Sequence, residues 1–396
     1  MARLPKKLQQ KLEERRADNT LRELPSETSL VDFSSNDYLG FSQNMALSHL
    51  ALQILSDKEL ARNGATGSRL LTGNNILFDE VEELISTYHN AENALIFNSG
   101  YDANIGFFSS VPQRNDIVFF DEFIHASIRD GLKLGNARAF KFKHNNLEDL
   151  SSCIAQQKHQ LDGGDNQAYL VTEAVFSMDG DTSDLHKLME ICESNDILLI
   201  LDEAHAVGVF GKGGKGRISD LHLEDRVFAR MITFGKALGC HGAAILGTNA
   251  LKNYLVNFAR SLIYTTALPP HSLASILAAY KLLSSDLGSQ QIIKLRENID
   301  YFKELLTGMR LSTYFIKSDS AIHCCILGGS TLVKQTALAL SHQGMDVKPI
   351  LYPTVPKGKE RLRFCLHSFN SKQEIQEVLK TLKAIITKSP SLARGN

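Results

Sequence analysis

Lys236 lies in Thr233-Phe234-Gly235-Lys236-Ala237-Leu238-Gly239, directly after an apolar run. A lysine between small residues reads as an activated amine that can join a carbonyl, rather than as a solvated surface charge. The string is not a P-loop, because Ala237 follows the lysine where Ser or Thr is needed. Asp202 closes another apolar run and leads into Glu203, Ala204 and His205. A carboxylate at such a place is costly unless it meets a cation, so Asp202 calls for one. His205 can reach the same space, and no further ligands at matching spacing support a metal centre. His125, in Glu122-Phe123-Ile124-His125-Ala126-Ser127, carries a flat ring that could lie on a planar ligand, although a solvated histidine is the plainer reading. Ser99-Gly100-Tyr101 offers N–H groups to an anion where a run meets a helix. Ser177 adds a hydroxyl in the turn 174–181. Taken singly, both of these also read as ordinary turns.

The elements that must position these residues are short apolar runs alternating with amphipathic stretches. The runs are ALIFN (94–98), DIVFFD (116–121), AYLVTE (168–173), DILLILD (196–202), FARMITF (228–234) and GAAILG (242–247). Apolar throughout, they suit strands buried on both faces. Helical spacing recurs in 147–159 and in 183–195, where Leu185, Leu188, Met189 and Cys192 share a face behind a Ser183 cap. Strand then helix, repeated, predicts parallel βαβ units whose ligand sits beyond the carboxyl ends of the strands. From about 270 the pattern turns to helices (272–285, 289–308, 331–343, 371–386) with strand pieces at 321–327 and 361–366. The expected class is α/β, a large domain with a mainly parallel central sheet plus a smaller α+β domain. Residues 1–45 form an N-terminal segment packing with the small domain, 46–285 the large domain and 286–396 the small one. Leu4, Leu8 and Leu12 predict an amphipathic helix in 4–22 laid on a larger body. GVFGKGGKG (208–216) reads as a flexible loop.

One ligand satisfies all the strand ends. It has a phosphate for Gly100, Tyr101, Ser177 and Thr233, a planar ring for His125, a basic ring nitrogen for Asp202 and a carbonyl for Lys236. Pyridoxal 5'-phosphate has each of these groups. The acid would keep the ring nitrogen protonated, because an opposite charge favours the charged form.

Composition bounds the remaining classes. A chain of 396 residues suggests two or three domains. Lys and Arg number 43 against 44 Asp and Glu, a balance that argues against nucleic acid as a partner. No apolar run is long enough for a membrane span. The charged start MARLPKKLQQKLEERR lacks the apolar stretch of a secretory signal. Six cysteines, with no CxxC spacing, fit buried free thiols in a reducing compartment. A cytoplasmic enzyme without a metal is the expectation.

The longer strings resemble the α-oxoamine synthase family of fold-type I pyridoxal-phosphate enzymes. They are FSSNDYLG (33–40), GATGSRLLTGN (64–74), FNSGYDAN (97–104), HAS (125–127), TEAVFSMDGD (172–181), DEAHAVGVFG (202–211), TFGKALGCHGAAI (233–245), LIYTTALPP (262–270) and PTVPKGKERLRF (353–364). The resemblance covers about residues 15 to 385 and is strongest to the biotin-pathway member. It implies a transferase, a decarboxylative C-acyltransferase acting on L-alanine and a pimeloyl thioester of coenzyme A or acyl carrier protein. Members that pair glycine or serine with other acyl thioesters stay open. A non-catalytic binding subunit is the remaining alternative, and it would be expected to lack Lys236 or Asp202.

By resemblance, Lys236 would carry the cofactor. Asp202 would pair with its ring nitrogen, His205 would bond its phenolic oxygen and His125 would stack on its ring. Gly100, Tyr101, Ser177 and Thr233 would hold the phosphate side, with Thr266 supplied by the second subunit of a homodimer. Asn36 and Arg363 would hold the amino-acid carboxylate, Arg363 as a fork. Arg22 and Thr354 would contact the acyl thioester. Phe78 stands where the family often has His, which would alter the acyl tunnel, and Glu203 stands where Asp is common.

Overall fold

The computed structural model describes residues 4–24, 29–161 and 165–388. The first three residues of the charged start lie outside the described residues. In chain order the chain forms α1 (Lys6–Ala17), β1 (Val31–Asp32), α2 (Met45–Asp57) and α3 (Ile76–Tyr88). Strands and helices then alternate through β2 (Asn93–Phe97), α4 (Gly100–Ser110), β3 (Ile117–Asp121), α5 (Ala126–Leu134), β4 (Arg138–Phe142) and α6 (Leu147–Leu161). The alternation continues with β5 (Ala168–Glu173), α7 (Leu185–Ser194), β6 (Ile197–Asp202), α8 (Arg217–Asp220), β7 (Ala229–Thr233) and β8 (Ala243–Gly247). After α9 (Asn249–Phe258), α10 (Arg260–Ile263), α11 (Pro270–Leu283) and α12 (Asp286–Gly308) come β9 (Ile322–Ile326), α13 (Ser330–His342), β10 (Met345–Asp346), β11 (Lys348–Ile350), β12 (Arg361–Cys365) and α14 (Lys372–Lys388).

The chain divides into two compact units. One holds residues 36–177 and 181–296, the other residues up to 35, 178–180 and from 297 on. The expected boundaries lay at 45/46 and 285/286. No linker marks the second division, because α12 runs unbroken through it.

The larger unit is built on a seven-stranded sheet of order β2-β8-β7-β6-β5-β3-β4. β3 to β7 pair in parallel, and β8 runs antiparallel to both β2 and β7. The six apolar runs are thus six of the seven strands. The seventh, β4, is Arg-Ala-Phe-Lys-Phe on the sheet edge, with largely exposed side chains. Edge strands carry charges instead of apolar runs, so the hydrophobic pattern missed it. Phe97, Phe107, Phe108, Val118, Val171 and Ile200 are buried in the core that α4 and α5 share with the sheet.

Two local expectations change. The cap of α7 is Asp184, which accepts from Lys187 N at 3.2 Å. The Ser183 hydroxyl instead donates to Glu173 O at 3.2 Å and Asn145 Oδ1 at 3.0 Å. GVFGKGGKG contains a short 3-10 turn at Lys212–Gly214, closed by Gly214 N to Gly211 O at 3.0 Å, and Gly208 N ties it back through Gly214 O at 2.8 Å.

In the smaller unit, β11-β12-β9 form an antiparallel sheet and β1 pairs with β10 in parallel. α1 forms as expected but has no buried residue, and Leu4, Leu8 and Leu12 are exposed. Among the described residues the leucine face is therefore not laid on a body. All six cysteines are free; Cys153 and Cys240 are only partly buried, contrary to expectation.

Candidate active site

The carboxyl ends of the parallel strands β3, β5, β6 and β7 carry or lead into His125, Ser177, Asp202, His205, Thr233 and Lys236. β6 ends at Asp202, directly beside Glu173, the last residue of β5. Both are buried. Asp202 Oδ1 accepts from Ala204 N at 2.9 Å, and Oδ2 accepts from Asn104 Nδ2 at 3.1 Å. Asn104 Nδ2 also reaches Ser127 Oγ at 2.9 Å, and Ser127 Oγ lies 2.7 Å from His125 Nδ1. A continuous polar chain thus joins Asp202 to His125.

Glu173 escaped the sequence reading, which took it as the last residue of a buried strand. It is held protonated up to about 8, first by burial and then by the adjacent Asp202 charge. The Lys236 charge and bonds from the backbone N–H groups of His125 and Ser177 pull the other way. Among the described residues its Oε1 has no hydrogen-bond partner. The signal that could have found it is positional: an acid at the same strand-end level as Asp202, one strand over.

Lys236 lies in the turn after β7, half-buried, with Nζ 2.7 Å from His205 Nε2. Gly239 N closes this turn onto Lys236 O at 2.8 Å. Gly239 has φ 60°, and a Cβ there would stand 2.2 Å from Ser42 N. Glycine is thus required by close backbone approach. His205 Nδ1 lies 2.7 Å from the hydroxyl of Tyr38, which donates to Asn36 Oδ1 at 3.2 Å. Tyr38 is fully buried and had not been singled out. Tyr38, His205 and Lys236 thus form a continuous line of polar contacts.

His125 is the N-cap of α5, its Nδ1 accepting from Ser127 N at 3.2 Å. Surrounding protein lowers its pKa, and the Lys236 charge adds, against Asp202 and Asp130. A neutral ring results, and the residue keeps exposed surface for a ligand. α4 begins at Gly100, capped by Ser99 Oγ accepting from Asp102 N at 3.0 Å. A Cβ at Gly100 would meet nothing within 4 Å, so open space lies before this helix start. Tyr101 turns its hydroxyl to Asp130 Oδ2 at 2.8 Å, so its side chain is engaged within the chain. Thr233 Oγ1 donates to Gly242 O at 3.2 Å. Ser177 is half-buried. Thr266 is exposed, and its carbonyl accepts from Asn98 Nδ2 at 2.8 Å.

The remaining site residues fall in the smaller unit. Arg22 Nη2 donates to Thr354 Oγ1 at 3.1 Å, so the chain itself pairs the two expected acyl contacts. Arg363, on β12, is buried with Nη1 2.9 Å from Cys365 Sγ. Phe78 is buried in α3 with the Arg69 guanidinium 3.9 Å above its ring. Glu203 is buried beside Arg230 and accepts from Ile218 N at 3.0 Å, turned into the protein interior. Among the described residues no group of three or more His, Cys, Asp and Glu is placed to hold a metal ion. No helix of the described residues is long and apolar enough to cross a membrane.

Comparison with known proteins gives this geometry a setting. The chain is 41% identical to the 8-amino-7-oxononanoate synthase of Emericella nidulans over 399 residues, covering 96% of each chain. The crystal structure of 8-amino-7-oxononanoate synthase from Francisella tularensis matches with TM-score 0.74 at 31% identity, over 91% of this chain and 99% of that one. The Sphingomonas wittichii serine palmitoyltransferase shares the fold with TM-score 0.86 at 24% identity, over 97% of this chain and 98% of that one. Residues 28–382 match the aminotransferase class I and II family, and the chain belongs to that family.

Proposed function

We propose that the protein is a pyridoxal-phosphate-dependent C-acyltransferase. It condenses L-alanine with a pimeloyl thioester and releases CO2, the free carrier thiol and 8-amino-7-oxononanoate. The observation that carries the reading is the placement of Lys236, His205 and Asp202 at the carboxyl ends of β6 and β7, with Lys236 Nζ 2.7 Å from His205 Nε2. Full-length similarity to a synthase of that name supports the choice of substrates.

The residues fit the cofactor. An amine 2.7 Å from an imidazole, a buried strand-end carboxylate and open space before the first turn of α4 suit an aldehyde, a ring nitrogen and a phosphate respectively. When bound, pyridoxal phosphate supplies an aldehyde for amines and an electron sink for negative charge at the amino acid's Cα. Lys236 is its point of attachment and then the base that takes the Cα proton at Nζ. His205 orients that amine and bonds the phenolic oxygen, with Tyr38 fixing the ring of His205. Asp202, held by Asn104 and Ala204, keeps the pyridine nitrogen protonated. His125, neutral, stacks on the ring. The N–H groups of Gly100 and Tyr101, with Ser177 and Thr233, hold the phosphate, and Thr266 comes from the partner subunit of a homodimer. Asn36 and Arg363 bind the alanine carboxylate. Arg22 and Thr354 meet the thioester, whose carrier is coenzyme A or acyl carrier protein.

Borohydride reduction of the cofactor-loaded protein followed by peptide mass mapping tests the attachment. The cofactor mass is expected on Lys236, and Lys236→Ala should lose both label and turnover. A label on another lysine would refute the assignment. Turnover of glycine, L-alanine and L-serine with acetyl, pimeloyl and palmitoyl thioesters tests the substrates. A preference for glycine with acetyl-CoA, or for serine with a palmitoyl thioester, would overturn the alanine–pimeloyl reading.

A further inference from the structure

His144 follows β4, outside every motif used above, yet near the carboxyl ends of the strands it is held by a carboxylate on each ring nitrogen. Its Nδ1 lies 2.9 and 3.1 Å from the two oxygens of Asp121, and its Nε2 lies 2.8 Å from Asp181 Oδ2. Phe123 stacks on the ring with centroids 4.5 Å apart, and Phe176 meets it edge-on at 4.4 Å. Two carboxylates, one on each ring nitrogen, require both nitrogens to donate, so the ring is an imidazolium. Burial opposes the charge, but the two carboxylates outweigh it and raise the pKa to about 10.

Each arm of this clasp governs one loop of the site. Asp121 ends β3, and its Oδ1 also accepts from Phe123 N at 2.8 Å, two residues before His125. Its Oδ2 accepts from Asn145 N at 2.8 Å. Asp181 closes the turn after β5, where Phe176 N donates to Asp181 O at 3.0 Å, one residue before Ser177. Asn145 Nδ2 adds a second bond to Asp181 Oδ2 at 2.8 Å. The loops carrying His125 and Ser177 also converge on Glu173, which accepts from both backbones.

We infer that His144 is a positioning residue, a cation clasped between Asp121 and Asp181 that fixes the His125 loop against the Ser177 loop. It acts on the cofactor only through those two residues, and in that respect it rests on the function proposed above. Removing the clasp leaves the sheet intact but frees the two loops to move independently.

The test compares His144→Gln and Asp181→Asn with the wild-type chain, first without cofactor and then titrated with pyridoxal phosphate. In the cofactor-free protein, His144→Gln should speed amide hydrogen exchange at 122–127 and 174–178 while β6 and β7 keep wild-type rates. Asp181→Asn should speed exchange at 174–178 alone. The dissociation constant for pyridoxal phosphate should rise at least tenfold in His144→Gln and by less in Asp181→Asn. Exchange raised evenly across the sheet would mean a general stability role and would overturn the inference. So would an affinity within twofold of wild type in both variants. If His144→Gln does not fold, Asp181→Asn decides between the same outcomes. Failure of the wild-type protein to attach the cofactor at Lys236 would sink the functional proposal instead, and the exchange measurement would still judge the clasp.

Discussion

At the scale of single residues, the site is two carboxylates and one amine arranged so that only one negative charge need be present. Glu173 and Asp202 are neighbours across β5 and β6, and two buried like charges so close are unfavourable. Glu173 gives way by keeping its proton, with a pKa raised to about 8 by burial and the Asp202 charge. In an unfolded chain its carboxyl would ionise near 4.5. The folded state therefore binds the extra proton between those values, and Glu173 lowers stability progressively as pH rises through that window. Glu173→Gln supplies a neutral side chain of the same shape, so its thermal midpoint relative to wild type should rise between pH 5 and pH 8. A difference independent of pH would show that Glu173 is ionised throughout. Asp202→Asn is the complementary change. It should retain cofactor on Lys236 but slow exchange of the L-alanine Cα proton with D2O by on the order of a hundredfold, as loss of a group that stabilises developing charge does. An unchanged exchange rate would leave Asp202 a structural acid.

At the scale of elements, α4 serves the site twice from one face. Gly100 opens its first turn and Asn104, one turn later, holds Asp202. Since a Cβ at position 100 meets nothing within 4 Å, Gly100→Val should fold normally. It should nonetheless weaken pyridoxal phosphate binding at least tenfold, because the added methyls occupy the space a phosphate would take. Titration by absorbance and a melting curve separate the two effects, and normal affinity would move the phosphate elsewhere. How far such elements were legible follows from their burial. Central strands announced themselves as apolar runs because both their faces are covered, and Lys236, Asp202 and His205 were visible because they directly follow such runs. β4 was illegible because an edge strand needs few apolar residues. Tyr38 and Asn104 were illegible because their partners, His205 and Asp202, lie 167 and 98 residues away in the chain. Ser183 and Asp184 are both good caps, and only the bonds of Ser183 to Glu173 and Asn145 decide that Asp184 takes the role. The leucines of α1 followed a helical period correctly, but period alone cannot say that a face is covered.

At the scale of the whole molecule, buried ionisable groups predict a stability maximum near pH 6.5. His89 and His323 are each held down to about 3, burial being the largest cause in both. His89 Nε2 is bonded to Tyr280 Oη at 2.8 Å, while His323 Nε2 has no hydrogen-bond partner among the described residues and its ring lies 4.7 Å from that of Phe302. Both stay neutral in the fold, whereas an unfolded chain protonates them below about 6.5. Their contribution is therefore present above that pH and lost as pH falls toward 3. His144 works in the opposite sense. With a folded pKa of about 10, its ion pairs stabilise fully below 6.5 and are lost as pH rises to 10. Between pH 4.5 and 6.5 the two neutral histidines outweigh the opposing slope of Glu173. Above 6.5, Glu173 and His144 both act to lower stability. The thermal midpoint of the cofactor-free protein, followed from pH 4 to 10, should thus rise, peak near 6.5 and fall. His323→Leu should flatten the acid limb and leave the alkaline limb unchanged, while His144→Gln should do the reverse. A profile that keeps rising beyond pH 8 would contradict the charged state assigned to His144 and the neutral state assigned to Glu173 together.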